Sequence, residues 1–150
     1  MKKKEKKELK QLMNKYLEEP VVQSMKQYVQ HGSISTYEHC LKVTEVSFLM
    51  NRRLHLKSDE EKLVSAAMLH DFYLYDWHEP SEEHRLHGFF HPHKAAVNAK
   101  KYFDLGEKEC QAIESHMWPL TLSKIPTSRE GWILCLADKY CAFMETFFQR

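Results

Sequence analysis

From Thr36 to Phe72 the apolar residues return at helical intervals, and this fixes the kind of fold available. Leu41, Val43, Val46, Phe48, Leu49 and Met50 make a broad apolar face on one predicted helix, and Leu63, Val64, Ala67, Met68 and Phe72 do so on the next. No strand-like alternation of apolar and polar residues persists, and only four glycines and five prolines punctuate the chain. Patterns in which a hydroxyl can accept from the third backbone N–H while a Glu reaches back run from Ser35 to Glu38, Ser58 to Glu61 and Thr127 to Glu130. The periodicity predicts helices over 3–18, 21–31, 36–54, 59–74, 92–104, 107–117 and 128–148, with a break at Gly106 and a stop at Pro119. The interval 75–91 reads as a loop or a set of short turns. Irregular stretches that long are commonly functional in a compact domain.

This is an all-α pattern, a single-domain bundle of about six to seven helices. A chain of 150 residues can bury roughly 70% of its unfolded surface, so it needs no disulfide or structural metal to fold. Twenty-two basic residues against 21 acidic leave a net charge of +1, which gives no global pull toward nucleic acid or anionic membrane. The longest stretch free of Asp, Glu, Lys and Arg is 11 residues, Gln27 to Tyr37, short of the roughly 20 apolar residues that cross a membrane. The first ten residues carry six Lys and two Glu with no apolar run behind them. They read as a solvated helix end rather than a secretory signal, so the expected location is cytoplasmic. A weak nucleic-acid contact there is the lesser alternative. Cys40, Cys110, Cys135 and Cys141 form no CxxC pair and read as reduced, packed thiols.

Ten histidines are out of proportion, and six of them fall between His70 and His93. His70-Asp71 closes the apolar run Ala66-Ala67-Met68-Leu69. A half-buried ionisable pair is normally paired or bound to metal, and an imidazole beside a carboxylate can serve one cation, the carboxylate bridging to a second. His39 lies in the preceding helix. Asp138 directly follows the apolar run Ile133 to Ala137, where an unpaired carboxylate would be costly. His116 ends the sixth predicted helix, and His87 and His91 flank Gly88-Phe89-Phe90. His31, His55, His78 and His84 fit no pattern and read as surface residues. Trp77 and Trp118 read as packing residues.

The order His39, His70-Asp71, Asp138 resembles the HD-domain superfamily of metal-dependent phosphohydrolases, whose signature is a His, a His-Asp doublet and a distal Asp on a helical core. The resemblance covers about residues 35–145. It implies one HD-type domain over 1–150, with N-terminal helices in 1–34 and a metal-binding core in 35–145. Superfamily members with two metals, including the HD-GYP phosphodiesterases, add a His-Pro after the doublet and a further His before the distal Asp. His91-Pro92 and His116 stand in those places. The implied ligands are His39, His70, Asp71 and Asp138 for one ion and His91 and His116 for the second, with Asp71 bridging. His91 is preferred over His87 and His93 on the His-Pro match alone. His87 remains the alternative, in a third-ion or supporting role. The chain departs from HD-GYP members at Leu74, where they carry Lys, and at Met117, where they carry a second His. It has no Gly-Tyr-Pro, so a cyclic dinucleotide substrate is not supported.

The resemblance implies an enzyme that uses two divalent ions to activate water and clamp a phosphoryl group. The expected substrate is a small phosphate ester or nucleotide. Asp71 and His70 are expected at the reacting centre. Arg85, Lys94 and Lys139 are the candidate phosphate contacts, Arg85 first because its fork binds phosphate bidentately. Four imidazoles favour iron or manganese over magnesium, with zinc, cobalt and nickel also admissible. The alternatives are a diiron oxygenase on the same ligand set, and a non-catalytic nucleotide- or metal-binding module.

Overall fold

The computed structural model describes residues 1–78 and 86–148. Among these residues it shows α1 (Lys3–Leu17), α2 (Pro20–Gln23), a 3-10 turn (Ser24–Gln27), β1 (Val29–His31), β2 (Ile34–Ser35), α3 (Thr36–Arg53), α4 (Glu60–Leu69), α5 (His87–Phe103), α6 (Glu107–Glu114) and α7 (Arg129–Phe148). The all-α expectation holds, with one short hairpin added.

α4 is the axis of the bundle. Every residue from Leu63 to Leu69 is buried, and α1, α3, α5, α6 and α7 all pack against it. Ala66 and Ala67 let those neighbours approach closely. Leu9, Met13 and Tyr16 form the inner face of α1. Tyr16 donates its hydroxyl proton to Ser65 Oγ at 2.7 Å, which satisfies both polar groups inside the core. The opposite end of α1 is held by charge. Arg53 reaches Glu5 at 2.6 Å, and Arg52 binds Glu60 at 2.8 Å and also Glu8.

Ser35 caps α3 as expected, accepting from the Glu38 N–H while the Glu38 carboxylate accepts from the Ser35 N–H. The other two caps sit one residue later than the sequence pattern predicts. Asp59 Oδ1 accepts from the Lys62 N–H at 3.1 Å, and Ser128 Oγ from the Gly131 N–H at 3.0 Å. Glu130, freed from a capping role, is buried and accepts from the Asp59 N–H at 2.7 Å, tying the start of α7 to the start of α4.

The helix expected over 21–31 is replaced by α2, the 3-10 turn and the hairpin. Gly32, at φ 57°, makes a two-residue reversal that Cβ-bearing residues adopt at a cost. The cap at Ser35 already commits the chain to α3, so the reversal must come before it. A second correction concerns α5, which starts at His87 rather than Pro92. Pro92 therefore lies inside the helix and leaves the Gly88 carbonyl without its usual N–H donor. His87, Gly88 and His91, expected in the 75–91 loop, are helical. Arg85 and His84 lie outside the described residues.

Candidate metal centre

The ends of α4 and α6 explain why histidines stand where they do. The last carbonyls of a helix have no intrahelical partner. His70 follows α4 and its Nδ1–H donates to the Ala67 carbonyl at 2.7 Å; His116 follows α6 and donates likewise to the Ile113 carbonyl at 2.6 Å. Inside α5, His91 Nδ1–H donates to the His87 carbonyl at 2.8 Å. In all three the proton resides on Nδ1, so Nε2 presents a bare lone pair. His39, on α3, is oriented by a carboxylate instead, with Nδ1 donating to Glu145 Oε2 at 2.8 Å. A partner on the far nitrogen is the usual outer contact of a metal-ligating histidine.

The four Nε2 atoms converge on Asp71, which lies just beyond α4. Asp71 Oδ2 is 3.3 Å from His70 Nε2 and 3.6 Å from His39 Nε2. Asp138 Oδ1, delivered by α7, is 2.9 Å from His39 Nε2 and 3.3 Å from His70 Nε2. On the other side, Asp71 Oδ1 is 3.1 Å from His91 Nε2 and 3.4 Å from His116 Nε2. Those last two nitrogens are 3.0 Å apart. His39, His70, Asp71 and Asp138 can therefore gather on one cation, and Asp71, His91 and His116 on one cation. All six residues are buried.

Lone pairs facing carboxylate oxygens at these distances repel unless a proton or a metal cation lies between them. Among the described residues, buried His70 Nε2 and Asp71 Oδ1 have no hydrogen-bond partner. Nitrogen and carboxylate oxygen donors in this mixture suit a divalent transition metal, so the donor set fits the ion that the sequence implies.

The electrostatics point the same way. Burial opposes charge on His39, but the Asp138 and Glu145 carboxylates outweigh it and raise its pKa to about 10. His70 is likewise pulled down by burial yet raised well above its ordinary value, chiefly by Asp71. Burial resists ionisation of Asp71 and Asp138, but the surrounding imidazoles hold both pKa values far below the usual carboxylate range. His116 moves the other way, its pKa lowered by burial. The centre keeps its carboxylates ionised and draws positive charge inward.

Supporting residues that the sequence reading missed surround the centre. Gln30, on β1, donates from Nε2 to Asp71 Oδ2 at 2.7 Å. Its Oε1 accepts from Tyr73 Oη at 2.7 Å and from Thr36 Oγ1 at 3.3 Å. Asn98 Nδ2 donates to the Phe72 carbonyl at 2.9 Å, fixing the chain directly after Asp71. Glu145 had a signal, since it lies seven residues beyond Asp138 on the same helix face in a nearly uncharged segment. Gln30 had none.

A cavity of about 480 Å3 opens beside the centre, and Asp71, His91, His116 and Asp138 help to line it. This is within the usual range of small-molecule sites. His31, expected at the surface, is half-buried, lines the cavity and meets the His39 ring edge-on at 5.6 Å. Burial and His39 lower its pKa. Trp77 also lines the cavity, stacked on His87 at 4.9 Å, and His87 stacks on His91 at 4.3 Å. His87 thus supports the centre without joining either ligand group. Trp118 packs edge-on against Trp132 at 5.2 Å. Among the candidate phosphate contacts, Lys139 lines the cavity, with Nζ donating to the His116 carbonyl at 3.1 Å. Lys94 is exposed on α5 and is not among the cavity residues. Arg85 lies outside the described residues.

Comparison with curated proteins gives no match, and comparison with solved structures gives none. The family model described as HD domain matches residues 36–142, from the first residue of α3 into α7, and so spans all six converging residues. The chain belongs to the HD domain family.

Proposed function

We propose that this protein is a metal-dependent phosphohydrolase that holds two divalent ions side by side and acts on a small phosphate ester or nucleotide. The observation that carries the reading is the division of Asp71. One carboxylate oxygen faces His39 and His70, and the other faces His91 and His116. A bridging carboxylate with separate donor groups on its two sides is what a binuclear centre requires.

Bound in the two groups, divalent ions supply Lewis acidity and a water acidic enough to attack phosphorus near neutral pH. The chain does the rest. Asp71 keeps the two donor groups in register, and Gln30 fixes the carboxylate plane by its bond to Oδ2. Glu145 holds His39 in the tautomer that offers Nε2 to the centre. Lys139 places positive charge at the cavity wall beside His116, where a phosphoryl oxygen can be received. Arg85 and Lys94 remain proposed phosphate contacts on the strength of sequence position. Trp77, Met117 and Leu120 give the cavity an apolar lining that disfavours water. A cytoplasmic location is part of the same reading.

Elemental analysis of protein purified without chelator or affinity tag, with hydrolysis of a panel of phosphate esters, tests this directly. About two ions per chain, fewer in His91→Ala and His116→Ala, and loss of hydrolysis in Asp71→Ala are expected. A single ion unaffected by the His91 and His116 changes would overturn the binuclear centre. Oxygen uptake by the iron-loaded protein, without hydrolysis of any ester, would assign the same ligands to oxidative chemistry.

A further inference from the structure

α7 has two faces, and only the inner one belongs to the centre. Asp138 and Glu145 turn inward. On the outer face Leu136, Tyr140, Phe143, Phe147 and Phe148 are 53% to 68% exposed, and Trp132 begins the stripe at 38%. The spacing from Trp132 through Leu136, Tyr140 and Phe143 to Phe147 follows steps of four, four, three and four residues. This is the seam period of helices that pack against each other. From Gly131 to Phe148 the helix has three charged residues, and two of them are the inward-facing Asp138 and Glu145. A helix apolar on all sides is ordinarily covered.

The stripe has the dimensions and the shape of a self-complementary interface. A fully buried aromatic contributes about 200 Å2, so six large side chains at half exposure offer roughly 600 Å2 per copy and 1,200 Å2 for a pair, enough for a specific dimer. Its ends are complementary. Near Trp132 a groove is formed with Met50, Leu54, Leu56, Ile133 and Leu136, with Arg129 as its one charged lining residue. Near the other end, Phe147 and Phe148 project from the surface. Tyr140 lies eight residues from Trp132 and eight from Phe148, about 12 Å each way along the helix. An antiparallel pair crossing at Tyr140 therefore sets the projecting phenylalanines of each copy into the groove of the other. The stripe residues from Trp132 to Phe148 are themselves uncharged, which favours an apolar occupant over a charged one.

We infer that the occupant of this face is a second copy of the chain, paired antiparallel through α7 with the two-fold axis at Tyr140. The stripe backs directly onto Asp138 and Glu145, so pairing braces the helix that supplies both to the metal centre.

Sedimentation of the purified chain tests the pairing, and cysteine placement tests its direction. The expected mass is twice that of the 17.9 kDa chain. The double change Leu136→Lys with Phe143→Lys should give a monomer, with helical content and metal loading confirming that it is folded. On mild oxidation in a Cys110→Ser background, Tyr140→Cys should form a covalent dimer and Trp132→Cys should not, because only a residue on the axis meets its own copy. A wild-type monomer at about 100 μM, weaker than interfaces of this area commonly allow, would overturn the proposal. Cross-linking at Trp132→Cys as readily as at Tyr140→Cys would overturn the antiparallel arrangement. A Leu136→Lys, Phe143→Lys protein that remained dimeric would place the interface elsewhere.

Discussion

The two carboxylates on either side of His39 have different work. Asp138 approaches Nε2, the atom that a metal would take, whereas Glu145 binds Nδ1 and decides which nitrogen keeps its proton. Glu145→Gln retains a possible acceptor through its amide oxygen but loses the negative charge that makes the imidazole a strong donor. Metal affinity in this variant should fall about 10- to 100-fold while the fold persists. Titration of the chelated protein with manganese or iron, read beside circular dichroism, checks it; unchanged affinity would reduce Glu145 to a packing residue. At this scale the sequence was partly legible. Asp138 announced itself as a carboxylate in an apolar run. Glu145 obeyed the same logic, two helical turns further on. Gln30 did not, because its bond to Asp71 depends on a hairpin bringing residues 41 positions apart into contact. Lys94 is close to His91 in the chain and near its face of α5, yet its side chain is exposed and does not line the cavity.

Helix boundaries decide more here than helix identities. α4 stops at Leu69, and that early stop frees the carbonyls that orient His70 and lets Asp71 leave the helical path. Periodicity cannot see this, because Phe72 continues the apolar rhythm after the helix has ended. The caps at Asp59 and Ser128 were displaced by one residue for a similar reason: adjacent capping side chains compete, and tertiary contacts of Glu130 select between them. Pro92 misled for another, since proline favours a helix start and here lies inside one. The attachment of α1 carries an acid-sensitive element of its own. Arg53 and the Lys2 backbone hold Glu5 near a pKa of about 2, below its ordinary 4.5, and Arg52 lowers Glu60. A depressed carboxylate stabilises the folded state above its unfolded pKa and loses that contribution as pH falls through the folded one. The α1 attachment should therefore weaken as pH drops from about 4.5 toward 2. Thermal melts across that range should show a shallower acid dependence in Arg53→Gln than in the wild type; identical slopes would assign the acid sensitivity to other groups.

For the molecule as a whole, the metal centre and the core are one structure. The axial helix α4 ends in the centre, and α3, α5 and α7, which pack on it, each supply a ligand. Metal binding to the folded state alone stabilises it by RT ln(1 + [L]/Kd), about 2.7 kcal/mol at a hundredfold excess over Kd. Manganese or iron should raise the melting temperature, a chelator should return it, and His70→Ala should abolish the difference. A melting temperature indifferent to metal in the wild-type protein would mean that no ion binds the folded centre. The ligands also record how the chain closes on itself. His39 and Asp138 are 99 residues apart in sequence, and His39 and Glu145 are 106 apart. Bringing such distant segments together is an entropic cost met late, after local helices and their nearest packing have formed. The donor group of His39, His70, Asp71 and Asp138 thus does not exist until the segments carrying α3 and α7 have met. Its appearance marks completion, and the rate at which a refolding sample takes up metal becomes a clock for the slowest step of folding rather than for the chemistry of coordination.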